Sequence, residues 1–206
     1  MIEKVKLSDY VFPGDNLFWR TDDKNIFMRF VTMMIRWFSK SWSSHVIKAR
    51  KPDLFYSVTT PKPEDIDDIG VWEHASEVWI RRPVAQFLID GKSLARMDKL
   101  WDWMKKNTDY DEVQLFGMAI VKILKKIGIK IKKPPVQESR EDRVCSTYCS
   151  FNDCEAFKFD PVPLTPDCLT CPGMLEKAKT YYDIVRLKKA KEKGRWTITK
   201  LHKKKI

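Results

Sequence analysis

The sequence predicts an α+β fold in which an antiparallel sheet packs against helices. Three long segments, residues 25–38, 93–107 and 111–127, carry apolar residues at helical spacing. Shorter apolar runs bounded by turn residues read as strands, and they do not alternate with helices as a parallel sheet requires. The chain has 206 residues, 43% hydrophobic and 33% charged, enough apolar material for one packed domain and too much for a disordered one.

Each element has its own signal. GDNLFWR (14–20) follows a Pro-Gly turn and reads as a short strand. Residues 25–38 place Ile26, Phe27, Phe30, Val31, Met34, Ile35, Trp37 and Phe38 on one helical face, with Arg29 and Arg36 off it. Such a stripe suits core packing better than a membrane surface. SSHVIKAR (43–50) reads as a strand with His45 near its start. Residues 52–70 hold three Pro and an acidic run and read as a loop, an insertion able to form a lid or rim. VWEHA (71–75) and EVWIRR (77–82) read as two strands meeting at a turn.

The helix at 93–107 has Ser93 as its expected cap, with Leu94, Met97, Leu100, Trp101 and Met104 on one face. The helix at 111–127 stops at Gly128. A polar connection, KKPPVQESRED (132–142), leads to a helix beginning close to Cys145. A Pro-rich loop, PVPLTPD (161–167), and a short helix follow, and the tail from Tyr181 holds two strands around KEKG. The expected organisation is one domain over residues 1–180 and a basic extension over 181–206 that can form a hairpin of the same domain.

The net charge of +11 is concentrated in KILKKIGIKIKK (122–133) and in the tail from Lys188 to Lys205. It suits anionic partners such as nucleic acid, acidic lipid or a cell-wall polymer, and it equally suits a solvated surface. No specific nucleic-acid motif is present, and the aromatics do not interleave with Lys and Arg as in a base-stacking platform. The N-terminus has no apolar signal region, and IFMRFVTMMIRWF (26–38) is too short to span a bilayer and carries two Arg. The expectation is a cytoplasmic protein with reduced thiols, or one carried by a phage or virion.

All five cysteines fall between residues 145 and 171, in DRVCSTYCSFNDC (142–154) and CLTC (168–171). Only Cys168 and Cys171 have zinc-like spacing, so Cys154, Cys168 and Cys171 form at best a partial metal set. A disulfide framework suits a smaller, secreted chain. A nucleophile is the third option. Cys145 opens a predicted helix, whose positive end lowers a thiol pKa, and a thiolate needs a base. Of three histidines, His202 lies in the basic tail, while His45 and His74 lie on predicted strands.

Four pieces in order resemble the circularly permuted, NlpC-like branch of papain-fold cysteine hydrolases, which includes the YiiX-like proteins and is related to lecithin–retinol acyltransferases. They are PGDNLFWR, MIRWFSKSWSSHV, GVWEHASEVWIRRPVAQFL and RVCSTYCSFNDC, with the trailing LTPDCL, covering about residues 11–172. In ordinary papain-like enzymes the Cys precedes the His; only the permuted branch accounts for His45 coming first. The resemblance implies Cys145 as nucleophile, His45 as its base and Glu73 as the acid that orients His45.

It implies Trp42, Ser44, Asp15 and Ser146 near the substrate pocket, with Asp15 better suited to ordering its turn, and Cys149 as a packed core thiol. No cofactor is implied and no metal is required. Cys154, Cys168 and Cys171 depart from the family pattern. The implied substrate is a peptide, a cell-wall peptide or an acylated lipid, with an anionic membrane surface or polymer as a further partner. The alternative is a basic, non-enzymatic protein that binds nucleic acid or anionic membrane and keeps a vestigial site.

Overall fold

The structure, a computed structural model, describes residues 4–21, 26–58, 62–107, 145–163, 170 and 172–202. The helix expected at 111–127, the connection at 132–142, the basic block at 122–133 and both cysteines of CLTC lie outside these residues.

Eight strands among the described residues form one antiparallel sheet. They are β1 (Lys4–Val5), β2 (Asn16–Thr21), β3 (His45–Lys51), β4 (Leu54–Val58), β5 (Pro63–Ile66), β6 (Ala75–Pro83), β7 (Tyr181–Lys189) and β8 (Trp196–Leu201). Their order across the sheet is β1-β8-β7-β6-β2-β3-β4-β5. The helices are α1 (Ile26–Ser39), α2 (Asp68–His74), α3 (Gly91–Asn107), α4 (Cys145–Glu155) and α5 (Pro172–Lys177). The tail strands belong to this same sheet, because β7 pairs with β6 over Glu77–Pro83.

The central strands are apolar on both sides because the sheet is covered on both faces. Leu17, Trp19, Ile47, Ala49, Val78 and Ile80 point into one core, which Leu7, Val11 and Val71 close. Phe18, Val46, Tyr56, Val58 and Trp79 alternate with them into a second core. There Met97, Trp101 and Met104 of α3, Tyr148 and Cys149 of α4 and Leu175 of α5 cover the sheet.

Buried polar groups tie α4 to the sheet. Lys48 of β3 and Asp153 of α4 are both fully buried and form an ion pair. Lys48 also donates to Asn16 at 2.9 Å, and the Tyr181 hydroxyl donates to Asp153. Burial pushes the Asp153 carboxyl up, and the Lys48 ammonium opposes that. On the β3–β4 side, Arg50 and Tyr56 both donate to Asp98 of α3.

The structure corrects four local expectations. Residues 52–70 are not a loop: they hold β4, β5 and the start of α2. VWEHA lies mostly in α2, not in a strand, because the acidic run supplies a helix start: the Asp67 carboxylate accepts from the Gly70 N–H at 2.7 Å. Ser93 is not the cap of α3 but the reciprocal partner of Asp90. The Ser93 N–H donates to Asp90 at 2.7 Å, and the Asp90 N–H donates to the Ser93 hydroxyl at 2.8 Å. On α1, Met34 and Ile35 are half-buried, whereas Trp37, expected on the apolar face, is exposed.

Candidate active site

His45 is the first residue of β3 and is 8% exposed. Its ring lies on Trp19, the residue opposite it on β2, with centroids 4.8 Å apart. Nε2 forms a 3.0 Å hydrogen bond with the Ser57 hydroxyl on β4. Desolvation in this setting, with a smaller contribution from the field of His74, brings the imidazole pKa down to about 3. The ring is therefore neutral at physiological pH.

The segment leading into β3 is held by a buried carboxylate. Glu176 of α5 accepts from the Trp42 N–H at 2.8 Å, from the Ser43 N–H at 2.7 Å and from the Ser41 and Ser43 hydroxyls. Its helix reaches that segment through Gly173, where a Cβ would stand 2.0 Å from the Ser39 carbonyl oxygen. Arg81 donates to four carbonyls at the end of α5 and just beyond it, those of Leu175, Glu176, Ala178 and Tyr181. The sequence carries no local sign of this clamp, since Glu176 acts on residues more than 130 positions earlier.

Cys145 is the first residue of α4 and is 5% exposed. The backbone N–H groups of Val46, Ser146 and Cys145 itself act on its sulfur and favour the thiolate. Burial outweighs them and raises the thiol pKa to about 11. Val46 follows His45 directly, so thiol and imidazole sit at the same end of β3. They face different sides of it: Cys145 packs with Val46 in the helix-covered core, while His45 lies tilted against Trp19, which belongs to the other. No hydrogen bond joins Sγ to the ring among the described residues.

Glu73 does not meet His45. It lies on the exposed side of α2, where its carboxylate pairs with Lys193 at 3.1 Å. A strand would have carried it into the sheet; a helix carries it out to solvent. The group that does meet His45 is Ser57. It went unrecognised because FYSV was read as part of a loop.

The remaining site residues have structural partners. Asp15 is fully buried, receives Arg82 at 2.8 and 2.9 Å, and accepts from the Phe12 N–H, so it orders the turn at Gly14. Its pKa is raised by burial despite Arg82. The Ser44 hydroxyl is 2.7 Å from the Thr21 hydroxyl, and the Ser146 hydroxyl donates to the Thr170 carbonyl at 2.8 Å. Trp42 is half-buried between two guanidinium groups. Cys149 is fully buried in the core.

Cys154 is half-buried, and Cys168 and Cys171 lie outside the described residues. Among the described residues no three metal-ligating side chains come together, and no helix is long and apolar enough to cross a membrane. No family model matches the chain, and no curated protein is similar to it in sequence.

Proposed function

We propose that the protein is a thiol hydrolase or acyltransferase of the permuted papain-like, NlpC-like type, with Cys145 as nucleophile and His45 as base. The observation that supports this most is the environment of the Cys145 sulfur. It sits at the start of a helix, under three backbone N–H groups, one of them from the residue next to the chain's most buried histidine. Those N–H groups partly offset the burial that keeps the thiol neutral, and after attack they are placed to stabilise charge on a carbonyl oxygen.

In this reading Sγ attacks an amide, ester or thioester carbonyl and the proton passes to Nδ1 of His45. The leaving group takes that proton, and water or an acceptor then releases the acyl group from sulfur. At rest the ring is partnered through Nε2 by Ser57, not by Glu73. Transfer requires the imidazole to swing from Trp19 toward the thiol around the end of β3. Among the described residues the β3–β4 ladder begins at Lys48, and the backbone pairing of His45 is to Trp19 of β2. The substrate is a peptide or an acylated lipid.

A second reading is supported by the missing Sγ–imidazole hydrogen bond: a basic binding protein for nucleic acid or anionic membrane, with a vestigial site. Labelling with an acyl-directed thiol probe separates the two. The hydrolase reading expects labelling that is lost in both Cys145→Ala and His45→Gln. Labelling that survives His45→Gln unchanged removes the base from the mechanism.

A further inference from the structure

We infer that the arginines and tryptophans beside the start of β3 form a binding subsite for a phosphate group. Four elements and one loop build it. Arg20 comes from β2, Trp79 from β6, Arg186 from β7 opposite Trp79 in the register, Arg36 from the last turn of α1, and Trp42 from the loop before β3. The Arg20 guanidinium carbon lies 5.2 Å from the Trp42 ring centre. That of Arg186 lies 5.2 Å from the same ring and 4.1 Å from Trp79. The two indoles meet edge-on at 6.1 Å.

The charges in this cluster do not cancel. Arg20 reaches Glu77 only at 3.8 Å. Arg36 and Arg186 make no ion pair and no side-chain hydrogen bond among the described residues, and the Nε atom of each is buried without an acceptor, as is Trp79 Nε1. The fields of two carboxylates reach Arg36: Glu176, which is already committed to residues 41–43, and Glu77, which lies beside Arg20. Lys200 pairs with Arg186 across the β7–β8 ladder and adds another cation. Everything unsatisfied here is a donor, and nearly every uncompensated charge is positive. A group with acceptors only and more than one negative charge answers both deficits, and guanidinium forks match phosphate oxygens.

The position bears on the substrate. Trp42 stands three residues before His45 and packs against the core that holds Cys145. Resting on the nucleophile reading of Cys145, the phosphate belongs to the molecule whose acyl group reaches that sulfur. Binding itself does not require the reading.

Titration calorimetry of the full chain with inorganic phosphate tests the subsite. Wild type and Cys145→Ser are expected to bind alike, and Arg186→Gln to bind about tenfold more weakly or worse. Arg186→Lys, which keeps the charge and loses the fork, should fall between. Lys51→Gln, at the far end of β3 and with the same loss of charge, should bind as wild type. If Arg186→Gln and Arg36→Gln, each folded by circular dichroism, bind as wild type, or if Lys51→Gln loses as much, the subsite is refuted. Glycerol 3-phosphate in solution and vesicles of phosphatidylcholine with phosphatidic acid then locate the source. Phosphate-competed vesicle binding that Arg186→Gln abolishes assigns a lipid headgroup; binding of the soluble ester alone assigns a soluble substrate. Phosphate binding without any acyl-probe labelling would retain the subsite and reject the hydrolase.

Discussion

The depressed pKa of His45 is a statement about stability. Below pH 6.5 an unfolded imidazole takes up a proton, while the folded one, desolvated against Trp19 and Ser57, stays neutral until about pH 3. Over that window the unfolded state binds one more proton, so stability falls as pH falls. Each pH unit costs about 1.4 kcal/mol, and the whole window about 5 kcal/mol. Asp15, Asp68 and Asp153, whose pKa values are raised, work in the opposite sense. A difference measurement is therefore needed: urea unfolding of wild type and of His45→Gln, which keeps a hydrogen-bonding side chain, at intervals from pH 7.5 to 4.5. The advantage of wild type over the variant should shrink by about 2 kcal/mol between pH 6.5 and 4.5. A difference independent of pH would show that the imidazole protonates in place, and would refute its burial as described.

Two further perturbations address the supports of the site. Lys48→Met leaves the Asp153 carboxylate buried with Tyr181 as its remaining strong donor and should cost about 3–5 kcal/mol by urea unfolding, whereas Lys48→Met with Asp153→Leu should recover most of that loss. Ser57→Ala removes the partner of His45 Nε2 and should cost about 1–3 kcal/mol, with Ser57→Thr recovering part of it; an unchanged unfolding midpoint would mean that Ser57 does not hold the ring.

Periodicity made much of this fold legible. The apolar face of residues 93–107 was readable because Met97, Trp101 and Met104 recur at helical spacing, and the strand at His45 because β-branched and apolar residues follow a serine-rich turn. Strands β4 and β5 were not: the apolar run of β4 is only five residues long between prolines, and β5 carries Glu64 and Asp65 on a sheet edge. Reading 52–70 as a loop hid Ser57, and reading VWEHA as a strand kept Glu73 beside His45. The position of Cys145 at a helix start was legible as local context. Its relation to Val46, and the grip of Glu176 on residues 41–43, depend on contacts between distant segments that no local pattern encodes. The arginine–tryptophan cluster is of the same kind: its members come from five separate stretches, which is why the sequence shows no interleaving of basic and aromatic residues.

A neutral thiol and a neutral imidazole on opposite sides of β3 constrain how any acyl transfer proceeds. With the thiol near 11 and the imidazole near 3, moving the proton from sulfur to the ring before attack costs about 11 kcal/mol if the two do not interact. Once the ring has swung to about 4 Å from the sulfur, their attraction in a protein interior returns about 4 kcal/mol. The remaining cost, about 7 kcal/mol, leaves roughly one molecule in 10⁵ as an ion pair. An enzyme turning over about ten times per second has a barrier of about 16 kcal/mol, so a preformed ion pair would consume nearly half of it before any bond to carbon forms. Proton transfer concerted with C–S bond formation avoids that charge separation, because the developing oxyanion takes the charge as sulfur gives it up. A concerted transfer holds the proton in flight in the transition state, so single-turnover acylation in D2O should be slower than in H2O by about twofold or more. A preformed ion pair has already moved its proton and gives no such slowing. Acylation as fast in D2O as in H2O would refute the concerted path and leave the preformed ion pair as the route.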